Sequence, residues 1–262
     1  MYVRESEALQ ALLSHWRAGS LEKYKEEIEG FGGKVSDPST VSITGDDTDY
    51  HPNLTPVPYV GDLSMAKVFL LMLNPGYKQF YEMYEQAACE FEEFPCKFDG
   101  NYGGYGEPDD VYGDYYGRYK KEALENLGHR VRQRFWPIEG EAAGTEFGKY
   151  WTRMLNPVYQ KVGSWDLIAE KFAMLNLIPY RSAHFKETKT VFECKSCKLI
   201  RDFVHDDLLK REDTLVIVAR RPKVWKVFRN YAAETHVFRG VECRGVHLHG
   251  VADKIAEFIS KS

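Results

Sequence analysis

The sequence predicts an α/β fold, a three-layer sandwich in which a central four-stranded parallel sheet lies between helical layers. Four short apolar runs, near 67–73, 171–177, 214–219 and 241–248, have the length and residue types of strands. Helically spaced segments separate the later runs, and strands alternating with helices build parallel sheets covered on both faces. The first run, KVFLLML, also breaks abruptly into Asn74-Pro75-Gly76. Pro75 ends hydrogen bonding to the sheet, and Gly76 permits positive φ. Asn74 is thereby left at the carboxyl end of a central strand, where open α/β sheets place their ligands. The same tripeptide is also ordinary turn chemistry.

The elements follow in order. Over 5–31, Leu9, Leu12, Leu13, Trp16, Leu21, Tyr24 and Ile28 recur at helical spacing around Gly19-Ser20, giving two short helices. Pro38, Pro52, Pro56 and Pro58 with many Ser, Thr and Asp make 32–66 an irregular connection. Residues 1–60 therefore read as a helical extension and linker, and 61–262 as the α/β domain. After the first strand comes an acidic, aromatic, glycine-rich insert at about 78–145, in which only 115–135 reads as a helix. A segment this irregular inside a compact domain is functional or mobile. A helix over 146–160 follows, with Asn156-Pro157 as its stop. Then come the strand FAMLNL, a helix over 196–211, the strand TLVIVA, a helix over 222–232 opened by Pro222, the strand VECRGVHL and a helix over 250–261. Met-Leu-Asn occurs at 72, 154 and 174, but the unequal spacing excludes a repeat architecture.

A chain of 262 residues with 44% hydrophobic content supports one decorated α/β domain or two small ones. No apolar run approaches the roughly 18 residues that span a membrane, and the amphipathic start with Glu5 and Glu7 is not a secretory signal. Five cysteines, an odd number, suggest a reducing compartment, so a cytoplasmic location is expected. The net charge is −4, unevenly spread: residues 181–262 hold 17 Lys and Arg against 11 Asp and Glu, leaving 18 against 28 in 1–180. A basic C-terminal third can make phosphate contacts within an acidic whole, or be plain solvated surface.

Polar residues gather at the predicted strand ends. Asn74 closes the first strand, Asn176 lies near the end of the second, and His247 and His249 end the fourth. In a parallel sheet such groups meet in one cleft at the carboxyl edge. Arg181, Ser182 and Lys186 follow the second strand, and Arg220, Arg221 and Lys223 follow the third. Cys194 and Cys197 have metal-type spacing, which Cys89 and Cys96 could complete. Such spacing at a helix start is also common by chance, and neither a metal nor a cofactor is expected.

This arrangement resembles the uracil-DNA glycosylase superfamily, nearest its mismatch-specific uracil/thymine branch. LNPG at 73–76 looks like the strand exit whose Asn holds the attacking water. FAMLNLIPYRS at 172–182 is similar to the strand whose Asn reads the flipped base, and GVHLHG at 245–250 stands where the family has His-Pro-Ser before a helix. EFGKYWTRML at 146–155 is similar to a Phe-Trp-containing helix of that branch. The resemblance implies a monofunctional, monomeric glycosylase that excises a uracil-like, mismatched or modified pyrimidine from DNA, in repair or in defence against foreign DNA. It casts Asn74 and His247 as catalytic, with Tyr77, Asn176 and His249 lining the base pocket. Arg181, Ser182, Lys186, Arg220, Arg221 and Lys223 would contact the DNA backbone. The chain departs from the family where 247–250 lacks the proline and serine of the intercalating loop. The insert after Tyr77 also falls where the family places a base-stacking aromatic. A non-catalytic nucleic-acid or nucleotide binding module of the same fold is the alternative.

Overall fold

The computed structural model of the chain describes residues 6–17, 21–35, 48–50, 56–76, 146–227, 237–239 and 248–260, with the backbone alone at 17, 21, 146–152, 237–239 and 249. Among these residues five strands form one sheet: β1 (Tyr59–Val60), β2 (Val68–Met72), β3 (Phe172–Asn176), β4 (Leu215–Val218) and β5 (Val237–Arg239). Their spatial order is β1-β3-β2-β4-β5, with β1 antiparallel to β3 and every other pairing parallel. Val68 stands opposite Phe172 on one side and Leu215 on the other, so the three apolar runs are in register. Every residue of β3 and β4 is buried, as are the first four of β2. That is why these strands read as unbroken apolar runs rather than alternating ones.

Among the described residues seven helices accompany the sheet: α1 (Glu7–Arg17), α2 (Leu21–Gly30), α3 (Glu146–Val162), α4 (Trp165–Lys171), α5 (Lys195–Asp206), α6 (Pro222–Trp225) and α7 (Ala252–Ser260). α1 packs on α5, whose Phe203 meets Phe69 of β2 edge-to-face at 6.3 Å. α3 and α4 pack with α7, α4 reaching β3 and α7 reaching β2. Two helical groups on one mostly parallel sheet make a mixed α/β protein, compatible with a sandwich. The described parts of residues 1–60 share this core: Leu9, Leu12, Tyr24, Ile28, Val57 and Tyr59 are all buried in it.

Four expectations need correction. β1 was no part of the apolar pattern; it exists because 57–60 pairs with the outer edge of β3. The fourth parallel strand lies at Val237–Arg239, ahead of the expected 241–248, of which only Leu248 is described, outside any strand. α3 continues through Pro157 to Val162. A proline inside a helix costs about 3 kcal/mol, while Met154, Leu155 and Val158 are wholly buried and contribute roughly 1.5–3 kcal/mol each. The helix expected over 222–232 ends at Trp225, where Lys226 turns left-handed at φ 56°. The helix expected over 115–135 lies outside the described residues.

Candidate functional site

Beyond their last ladder residues, β2 and β3 stay joined. Leu177 N–H donates to Met72 O at 3.2 Å, and Ile178 N–H to Leu73 O at 2.8 Å. Past Pro75 the pairing resumes as a parallel bridge between Gly76 and Ser182, while Ser182 bridges Tyr50 on its other side. Arg181, 3% exposed, sends its guanidinium under the turn to Gly76 O at 3.0 Å. The Asn-Pro-Gly turn is therefore held by the segment that follows β3.

Asn74 is half-buried at this rim. Its amide nitrogen donates to Pro75 O at 3.2 Å and to Ser182 Oγ at 3.1 Å. A carbonyl oxygen can only accept, so Pro75 O fixes which end of the amide is the NH2. Among the described residues no group is hydrogen-bonded to Asn74 Oδ1, which is the open acceptor of the turn. The strand order also has a reversal. Chain order runs from β2 outward to β3, then across to β4 and β5, so the switch point lies between the carboxyl ends of β2 and β4. Asn74 flanks that point on one side, and Arg220-Arg221-Pro222 on the other.

Asn176 stands opposite Met72, and its side chain is 2% exposed. Its amide donates to Val57 O at 2.8 Å and its backbone N–H to Pro58 O at 2.9 Å. One of the donors that base reading would use is thus spent on the lead-in to β1. Arg181 and Ser182, expected at the DNA backbone, are buried and directed at the β2 exit, where they support the turn. Lys186, Arg220, Arg221 and Lys223 are exposed. Arg221 sits left-handed at φ 50° and pairs with Glu187. His247 and Tyr77 lie outside the described residues. His249 opens the 3₁₀ turn His249–Val251 ahead of α7, with its backbone alone described.

A buried polar network lies nearby that the sequence pattern did not reveal. The Glu27 carboxylate accepts from Ser196 N at 2.7 Å, from Ser196 Oγ at 2.6 Å and from the Tyr180 hydroxyl. Ser196 is in the first turn of α5, so Glu27 of α2 satisfies an orphan N–H there and places negative charge at the positive end of the helix dipole. With the Ser196 hydroxyl donating to Glu27, His15 Nε2, 3.1 Å from Ser196 Oγ, is left as a donor. Burial lowers the His15 pKa below 6.5, and burial beside Glu27 raises that of Tyr180 well above 10.0. In sequence, Glu27 sits in KEEIE and reads as a solvated face; no spacing links residues 15, 27, 180 and 196. The PYRS motif held the one usable signal, a tyrosine at a strand exit.

Elsewhere, a groove of about 510 Å³ between α1 and α5 is lined by Ser6, Glu7, Asp202 and Asp206 among others. Its carboxylates repel phosphate. Among the described residues no cluster of three or more His, Cys, Asp or Glu could hold a metal ion, and no helix is long and apolar enough to cross a membrane.

Fold and site define a mixed α/β protein with an oriented amide at the carboxyl end of its central parallel strand. No family model, curated protein or solved structure matches the chain.

Proposed function

We propose that this chain is a monofunctional DNA glycosylase, hydrolysing the N-glycosidic bond of a flipped-out uracil-like, mismatched or modified pyrimidine and leaving an abasic site. One observation carries the reading: at the strand exit Asn74 has its NH2 anchored by Pro75 O and Ser182, and no described residue is hydrogen-bonded to its Oδ1. That oxygen accepts a hydrogen bond from water and aims it at the sugar carbon as the base departs. An amide is no general base, so turnover is slow compared with a carboxylate enzyme. Unstacking the target costs a few kcal/mol, regained by stacking and hydrogen bonds in the pocket. His247 is assigned the hydrogen bond to the leaving base, a role worth roughly 10²–10³ in rate. Lys186, Arg220, Arg221 and Lys223 supply the exposed cations for the DNA backbone.

The test is incubation with oligonucleotides carrying a panel of bases, followed by alkaline cleavage at abasic sites. Asn74→Ala should remove most excision yet leave DNA affinity nearly intact, because phosphate contacts dominate affinity. Failure of every base in the panel refutes the reading. The tie between Asn176 and Val57 O favours a second one, a nucleic-acid binding module of this fold without chemistry. Salt-dependent DNA binding with no excision on any base would establish it.

A further inference from the structure

Cys194 and Cys197 are free thiols that bracket the start of α5, Cys194 as its N-cap and Cys197 as its third residue. Residues three apart across one helical turn have Cα atoms roughly 5–6 Å apart, inside the window of about 4.4–6.8 Å that a disulfide requires. Closure therefore asks for side-chain rotation and no movement of the backbone.

The two sulfurs are not equivalent. Cys194 is half-buried and reachable from solvent, whereas Cys197 is fully buried. Cys197 Sγ lies 3.1 Å from Leu177 O and 3.3 Å from Val191 O, which accept its hydrogen. Its neighbour Cys194 and burial push the Cys197 thiol up, so it keeps its proton in the resting protein. An exposed attacking sulfur beside a sheltered one is the asymmetry that thiol–disulfide exchange needs.

We propose that Cys194 and Cys197 form a reversibly oxidised dithiol whose substrates are small-molecule disulfides. The Cys194 thiolate attacks one sulfur of the disulfide; a mixed disulfide forms, the original S–S bond breaks, and the first thiol leaves with a proton from water. Cys197 then attacks Cys194 Sγ from inside the protein, closing the Cys194–Cys197 bond and passing its proton to the second departing thiol. The dithiol has lost two electrons and two protons, and the small disulfide has become two thiols. Oxidation also removes the hydrogen-bond donor from Leu177 O, one residue beyond Asn176. The proposal stands independently of base excision.

The experiment equilibrates the full chain in glutathione buffers of rising oxidised-to-reduced ratio, quenches with acid, alkylates free thiols in denaturant and maps tryptic peptides. Trypsin cuts after Lys195, so a bridge joins two peptides and is read directly. The expected result is that Cys194 and Cys197 become protected together, in one transition reversed by dithiothreitol. In Cys197→Ser, glutathione should accumulate on Cys194; in Cys194→Ser, Cys197 should stay unmodified. The unsubstituted chain decides the matter by itself. Both thiols remaining alkylatable at the most oxidising ratio would overturn the proposal. So would glutathione persisting on Cys194 of that chain, or stoichiometric zinc released by modifying these thiols.

Discussion

Gly61 follows β1 at φ 88°, and a Cβ added there would lie 2.5 Å from Phe172 O and 3.0 Å from Ala173 Cα. Both atoms are backbone of β3, which β2 holds in place on its other side, so neither can retreat. Gly61→Ala therefore meets two penalties. A side chain at left-handed φ costs about 1–2 kcal/mol, and overpacking adds typically 1–3 kcal/mol, for a total of roughly 2–5 kcal/mol. Gly163→Ala supplies the control, since Gly163 has φ 73° but nothing within 4 Å of its added Cβ. It should cost the backbone part alone. The assay is urea unfolding followed by tryptophan fluorescence, with Trp16 and Trp225 both buried in the core. At an m-value of about 3 kcal/mol/M, Gly61→Ala should lower the midpoint by roughly 1 M and Gly163→Ala by less than half of that. Hydrogen exchange gives a second readout. The Asn176 amide, bonded to Pro58 O, should exchange faster in Gly61→Ala and unchanged in Gly163→Ala. Equal destabilisation by the two variants would refute the close approach of β1 to β3.

Tyr180→Phe removes a hydrogen bond to the Glu27 carboxylate while Ser196 still satisfies that carboxylate; a loss of about 1.5–3 kcal/mol in urea unfolding is expected, and an unchanged midpoint would count against the network. For His15, burial holds the folded pKa below 6.5. The unfolded chain then binds the extra proton first, so stability is full above pH 6.5 and falls as pH drops from there through the lowered value. The midpoint should decline less between pH 7.5 and 5 in His15→Gln than in the parent. Arg221→Ala removes one exposed cation and leaves Glu187 without its partner. On DNA it should weaken binding to every sequence and flatten the salt slope by about one, and an unchanged slope would take Arg221 off the backbone interface.

The three central strands were legible because burial on both faces wrote them as apolar runs, placed within a residue or so of β2, β3 and β4. β1 was not, since two residues in a proline-rich stretch carry no period and owe their form to a partner more than 110 positions away. β5 has three residues and no such run, and the strand expected at 241–248 lies, but for Leu248, outside the described residues. Proline rules misjudged 157 because tertiary burial along α3 outweighed a local penalty. At the site, Asn74 was readable from strand-then-breaker chemistry. Its orientation was not, because it depends on Ser182, brought in by the register of the strands. Arg181 and Ser182 are expected at the DNA backbone from their place after the second strand, and place along the chain does not tell a phosphate contact from an internal support such as the bond from Arg181 to Gly76 O.

The short strand β1 has a consequence for how the protein keeps to itself. β3 is wholly buried and apolar but for Asn176, and among the described residues its outer edge is satisfied by the lead-in at 57–60: Tyr59 and Val60 pair with Leu175 and Met174, Asn176 N–H bonds Pro58 O, and Val57 N–H bonds Pro179 O. Stripped of that cover, β3 would present a flat hydrophobic row of unpaired N–H and C=O groups, a template for strands of other molecules. Gly61 lets the guard turn away after two residues, too few for β1 to become such a template in its turn. Cutting the chain at residue 60 would not release a trimmed domain. It would expose an adhesive edge, and the product would precipitate in proportion to its concentration.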